Sequence, residues 1–387
     1  MKNYLFFPLL LLGLNATGQP DFTAQLGALS KAHSRTAFSA AVIQDGKISY
    51  FNAQPRRGRA PAANEKSIYE LGALTGPFTA LLMLRLSEKG RIAPGQPLTD
   101  YLPDSLCPPP FQPARCTEMV LPGTPPRLMM SCSPDLARAG RTPTFCELAA
   151  HTSGLPNAGL GHYDWHPGAQ YATTVSQPPS AAAAYPALLA GLTQSCYKNE
   201  PGTAWHFSNA GMAVLGHSLA IAEGQPFAYL LETEVAGPLG LADTQLELNP
   251  EQRTRFMSTE PATLPIMGPA AGLKSTTTDL AQLLYAYLNS ESHPWESILL
   301  ESRQPRVDAN FPGFAYPTTG TYGWLSSYLA GPKAREIIWM NGGTEAFSAF
   351  AGFDPDNGQA VVLLCNKAGV DLTKEGIKWL QELPVRR

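Results

Sequence analysis

Hydroxyls, imidazoles, thiols and amines are the groups able to do chemistry in this chain, and few stand at useful spacing. Ser195-Cys196-Tyr197-Lys198 sets a serine three residues ahead of a lysine, so that an amine can activate a nucleophilic hydroxyl. With 24 serines and 11 lysines in 387 residues, about one such match arises by chance, so it carries no weight alone. His151, His162, His166 and His206 lie near one another in the chain and raise the question of a metal. We expect none. Cys107, Cys116, Cys132 and Cys146 crowd into one Pro-rich stretch but include no Cys-x-x-Cys pair, so they fit disulfides better than zinc. Their connectivity stays open, since four cysteines allow 3 pairings and six allow 15. Cys365, in Val361-Val362-Leu363-Leu364-Cys365, reads as a buried thiol.

The elements that must position any site follow from pattern. Phe22 to His33 has helical spacing of apolar residues, and Ala37 to Phe51 reads as two strands turning at Asp45-Gly46. Phe78 to Lys89 reads as a helix stopped by Gly90. From Pro103 to Pro143 periodicity disappears under proline, glycine and cysteine, which predicts a long loop stapled by disulfides. Leu273 to Leu280 reads as a helix start with a serine or threonine cap. Tyr322–Tyr328, Glu336–Met340, Ser348–Phe353 and Gln359–Cys365 read as strands, and Leu372–Leu383 as a closing amphipathic helix. This order implies an α+β fold: an antiparallel sheet fed from both ends of the chain, with a mostly helical lobe inserted.

Bulk properties set the compartment and exclude some partners. A net charge of −3 without basic clusters excludes electrostatic binding of nucleic acid. Lys2, the apolar run Leu5 to Leu14 and the small residues Ala16-Thr17-Gly18 read as a signal peptide over residues 1–18, cut before Gln19. That run is shorter than the roughly 20 apolar residues of a membrane span. A protein exported to the periplasm or beyond, with no integral membrane segment after cleavage, is expected.

Several segments in one order resemble the serine β-lactamase and penicillin-binding protein superfamily, in particular class C β-lactamases, D-alanyl-D-alanine carboxypeptidases and related esterases. They are Tyr69-Glu70-Leu71-Gly72-Ala73-Leu74-Thr75-Gly76, Phe145 to Pro156, Glu200-Pro201-Gly202-Thr203, Gly237 to Thr244 and Ala271 to Thr276. The resemblance implies a β-lactamase/transpeptidase-like fold over residues 19–387. The α/β lobe spans about 22–102 and 223–387, and the helical lobe 103–222, including the Cys/Pro-rich insertion 103–143. It implies no cofactor.

The resemblance also shows what is missing. Where the family has Gly-Ser-x-x-Lys, this chain has Ala73 and Gly76. Where it has Tyr-x-Asn, this chain has Phe207 and Asn209, and where it has Lys-Thr-Gly or His-x-Gly, Met340 stands in the first position and Gly342 survives. A ring without a hydroxyl cannot be a general base. Four proton-carrying positions are therefore empty of proton carriers, and no catalytic residue is intact. Asn209, Gly343, Thr344 and Glu345 remain as ligand-binding candidates, with Glu345 facing the cleft or simply solvated. Gly76-Pro77 predicts that the helix restarts with Thr75 as its N-cap, which makes Thr75 a cap and not a substitute nucleophile. The sequence thus points to an exported pseudoenzyme that binds a peptidoglycan-type peptide or a protein partner. The alternatives are an active serine hydrolase with a non-standard nucleophile, or an interaction module with a filled cleft.

Overall fold

Asp45 and Gly46 adopt φ 51° and 72°, the left-handed pair that a two-residue hairpin turn demands. They join β1 (Phe38–Gln44) to β2 (Lys47–Ala53). A computed structural model of the protein describes residues 20–57, 62–121, 127–135, 137–138, 140–157, 181–192, 197–258, 265–309, 316–330 and 334–385. Residues 1–18, expected to be a signal peptide, and Ser195, Cys196, His162 and His166 lie outside them.

After α1 (Phe22–Ala32) and the first hairpin come β3 (Tyr69–Glu70), a 3-10 turn at Gly72–Thr75, and α2 (Gly76–Glu88). Next are β4 (Ala114–Leu121), β5 (Arg127–Pro134), α3 (Phe145–Ala149), α4 (Ala181–Gly191), α5 (Asn209–Glu223) and α6 (Phe227–Leu231). α7 (Pro250–Arg255), α8 (Gly268–Ala271), β6 (Lys274–Ser275), α9 (Thr277–Leu288) and α10 (Glu296–Arg303) follow. The chain ends through β7 (Val307–Asp308), β8 (Thr318–Gly320), β9 (Leu325–Leu329), β10 (Arg335–Gly343), β11 (Ser348–Asp354), β12 (Gln359–Cys365) and α11 (Leu372–Glu382).

Eight strands make one sheet in the order β2-β1-β12-β11-β10-β9-β8-β7, and every pairing in it is antiparallel. β1 lies between β2 and the C-terminal β12, with Ala41 opposite Val362, so the two ends of the chain build one sheet as expected. β11 and β12 are buried along their whole length, because α11 packs on one side and α9 on the other edge of the core. Arg335 on β10 is buried and sits 3.4 Å from the buried Asp354 carboxylate. Its guanidinium also donates to the carbonyls of Leu380 (2.7 Å) and Leu383 (3.1 Å), which ties α11 to the sheet. α2 is the central helix: ten of its thirteen residues are buried, so it is apolar all round rather than on one stripe.

The structure corrects the sequence at two places. The stretch 103–143 is no structureless loop, since β4 and β5 pair antiparallel from Ala114↔Pro134 to Leu121↔Arg127. The alternation there was hidden because the strands are fenced by prolines and interrupted by cysteines. The strand expected from Tyr322 begins only at Leu325, because Gly323 (φ 77°) turns the chain and donates its N–H to Ala149 O at 3.0 Å. Among the described residues Cys107, Cys146 and Cys365 are free thiols, so the expected staples do not involve Cys107 or Cys146 here.

Candidate active site

Two glycines bring the first and third motifs together. Gly72 has φ 55°, and a Cβ placed on it would lie 2.5 Å from Gly343 N. A Cβ on Gly342 would lie 1.8 Å from Leu71 O. The turn at Gly72–Thr75 therefore rests backbone against backbone on the end of β10, a packing only glycine permits. β10 pairs with β9 only up to Trp339, so Met340 to Gly343 run past the end of β9. Ala73, half-buried, occupies the nucleophile position at this contact.

α2 begins at Gly76 with Pro77 in its first turn, as expected from the proline, and the residues before it form a 3-10 turn. The expected capping role of Thr75 fails. Thr75 has helical angles (φ −63°, ψ −32°) and makes no side-chain cap bond. Its hydroxyl oxygen instead accepts from Leu273 N at 3.2 Å, while Leu71 N donates to Leu273 O at 2.9 Å. The 3-10 turn already holds Thr75 in a helical conformation, from which its side chain cannot reach back to the next turn's N–H groups. The residue is fully buried, so it offers no nucleophile to the cleft.

Gly76, which stands where the resemblance puts the lysine, has room for a Cβ at ordinary contact distance. A Cβ on Gly76 would stand 3.4 Å from Met212 Cε and 3.9 Å from Gly323 O. Met212, 1 % exposed on α5, was not singled out from sequence. It follows Asn209 by three residues, so helical spacing puts both on one face of α5, which is the signal that was available.

The second motif opens α5. Ser208 is its N-cap: its hydroxyl accepts from Gly211 N and donates to Pro156 O, both at 2.8 Å. Asn209 is therefore the first helical residue rather than the cap. Its side-chain nitrogen and backbone N both donate to Asn157 Oδ1, at 3.1 and 3.3 Å. Because the backbone N–H fixes Asn157 Oδ1 as the acceptor, the Asn209 amide is oriented too, leaving its buried Oδ1 without a hydrogen-bond partner among the described residues. Phe207 is half-buried, with its ring 4.7 Å from that of His151, and Trp205 lies 6.1 Å from the same imidazole.

His151, whose ring packs against Phe207, is not a base for the cleft. It sits at φ 56° and is buried, and burial pulls its pKa down to about 4. Its Nδ1 accepts from Ser208 N at 3.1 Å, so the neutral ring carries its proton on Nε2. Its role is to hold the turn onto the start of α5. Among the described residues no group of three or more His, Cys, Asp or Glu side chains is placed to hold a metal. His162 and His166 stand four residues apart, so spacing alone does not set them aside.

The third motif presents little chemistry. Met340 is buried, Asn341 and Gly342 are partly exposed, and Gly343 and Glu345 are exposed. The Thr344 hydroxyl accepts from Ala346 N (3.3 Å) and Phe347 N (3.2 Å), so it shapes the turn into β11. Behind the site Lys274 faces Glu70 across β3 and β6. The Lys274 ammonium donates to Leu246 O (2.9 Å) and Gly272 O (3.1 Å), and burial lowers its pKa. It braces the segment that bonds Thr75 and does not enter the cleft.

Comparison with known proteins agrees with this architecture. Residues 22–382 match the family model described as Beta-lactamase. The chain is 24% identical to the D-alanyl-D-alanine-carboxypeptidase/endopeptidase AmpH of Escherichia coli K12, over 92% of this chain and 89% of that one. It is also 24% identical to a β-lactamase of Pseudomonas fluorescens, over 85% and 88% of the two chains. The structure of a β-lactamase/D-alanine carboxypeptidase from Yersinia pestis, complexed with citrate, superposes with a TM-score of 0.65 at 18% identity, covering 93% of this chain and 98% of that one. With the family model matched from α1 to α11, this chain belongs to the Beta-lactamase family.

Proposed function

We propose that this chain is an exported, catalytically silent member of its family that binds a peptidoglycan-type peptide without hydrolysing it. The observation that carries this reading is that Ala73 and Gly76 supply neither hydroxyl nor amine, and the atom nearest the position of a Cβ on Gly76 is the Met212 Cε methyl, at 3.4 Å. The neighbouring hydroxyls and imidazole support it. Thr75 accepts from Leu273, Thr344 accepts from its own turn, and His151 is neutral with Nδ1 engaged. Losing the nucleophile of a coupled serine machine costs about 10⁶ in turnover, which leaves only binding and main-chain donors. Main-chain donors near Ala73 and Gly343 suit the carbonyls of a peptide. A peptide ligand is favoured because a relative spanning most of the chain is named a carboxypeptidase and endopeptidase for D-alanyl-D-alanine. The two-lobe division and the signal at residues 1–18 belong to the same reading.

The test is covalent labelling followed by equilibrium binding. Purified protein incubated with a fluorescent penicillin and with a fluorophosphonate should carry no adduct by intact mass, while a D-Ala-D-Ala peptide should bind reversibly by calorimetry. An adduct mapped to any residue of this chain refutes silence. Absence of peptide binding, with capture of a defined protein instead, refutes the choice of ligand.

A further inference from the structure

The β4–β5 hairpin stands apart from the main sheet. Among the described residues its two strands pair only with each other. A two-stranded hairpin of this kind is marginal in water unless something closes it. Its base is closed. Phe111 N donates to Arg141 O (2.8 Å), Arg141 N to Phe111 O (3.1 Å), and Asp135 N to Pro113 O (2.8 Å). The Arg141 guanidinium then reaches the Glu147 carboxylate on α3 at 2.7 and 3.0 Å.

The register supplies a closure. Cys116 on β4 and Cys132 on β5 are directly opposite partners. Opposed residues of an antiparallel pair have Cα atoms about 4.5 or 5.5 Å apart, according to their hydrogen-bond position, and both spacings fall within the roughly 4.4–6.8 Å that a disulfide spans. The other described cysteines are placed elsewhere. Cys107 Sγ lies 3.9 Å from Leu102 O, Cys146 Sγ accepts from Tyr322 OH at 3.1 Å, and Cys365 is buried in β12 opposite Phe38 and Ser348.

We propose that Cys116 and Cys132 form a cross-strand disulfide that closes the β4–β5 hairpin. The two thiols give up two protons and two electrons to a disulfide donor such as oxidised glutathione. One S–S bond forms in the protein, one breaks in the donor, and two glutathione thiols leave. The proposal is independent of the ligand reading of the cleft, so either can fail alone.

Peptide mapping decides it. The whole chain is held with excess oxidised glutathione, its remaining thiols are alkylated, and it is cut with trypsin. Cleavage after Arg115, Arg127 and Arg138 places Cys116 and Cys132 on separate peptides, 116–127 and 128–138. The expected result is a linked species lighter by two hydrogens than the sum, which separates on reduction. Cys116→Ser should add one newly alkylated thiol, at Cys132 and at no other cysteine. Alkylation of both residues in the unreduced protein overturns the proposal, and so does linkage of either one to another cysteine.

Discussion

Replacing Gly76 by lysine, with Met212 as the second site, puts the reading of the cleft to a quantitative test. Gly76 is buried, and its missing Cβ would lie 3.4 Å from Met212 Cε, so the first carbon of a new side chain fits. Met212 Cε is the atom nearest that carbon, so a longer side chain directed toward it crowds Met212. Overpacking of this kind costs about 1–3 kcal/mol. Met212→Ala alone removes a side chain that is 1 % exposed and should cost about 2–5 kcal/mol. In the Gly76→Lys background the same truncation makes room, so its cost should fall by about 1–3 kcal/mol, the coupling expected of touching residues. Urea denaturation of the four proteins of the cycle measures this. Additivity within about 0.5 kcal/mol would show that position 76 does not face Met212, and the account of the lost lysine would fall with it. Adding Ala73→Ser to the double variant should still give no acyl-enzyme burst with a chromogenic cephalosporin, since Phe207 and Met340 carry no titrating group.

Three further outcomes follow from the same geometry. Gly342→Ala should destabilise the protein by about 3 kcal/mol, seen as a lower Tm, because its Cβ would lie 1.8 Å from Leu71 O, whereas Gly95→Ala, with open space around it, should stay within about 0.5 kcal/mol. Thr75→Val should cost about 1–3 kcal/mol by leaving Leu273 N–H without its acceptor at 3.2 Å, and should change no residual hydrolysis. His151 titrates near 6.5 when unfolded and about 4 when folded, so the unfolded chain binds the extra proton in between. Its stabilising contribution is full above pH 6.5, declines as pH falls through that window and is lost below about 4, a loss of about 3 kcal/mol. Denaturation midpoints from pH 7.5 to 4 should flatten in His151→Asn, a residue that tolerates the left-handed backbone at φ 56°.

The fold was legible where pattern and turn chemistry agree. Asp45-Gly46 announced a hairpin, Gln359–Cys365 read as a strand end to end, and Thr276 caps α9 through Asp279 N at 3.1 Å. The hairpin at Ala114–Pro134 was not legible, because prolines and cysteines break the alternation that marks a strand. Nor were the two-residue strands β3 and β6, which exist only because Tyr69 and Glu70 meet Ser275 and Lys274. The register across the Cys116–Cys132 pair likewise has no local signal.

The chain by itself determined which proton carriers are missing, since the identity of Ala73, Gly76, Phe207 and Met340 is a matter of covalent structure. It also determined that Pro77 belongs in the first turn of α2, where a residue without an N–H loses no intrahelical hydrogen bond. Only the tertiary structure decided what fills the vacated positions and where the surviving polar groups point. Met212, Asn157 and Leu273 come from segments distant in sequence from the groups they meet, and the destination of the Thr75 hydroxyl depends on which backbone N–H packing brings within reach. Local sequence sets what a residue is able to donate or accept, and long-range packing sets which partner it finds.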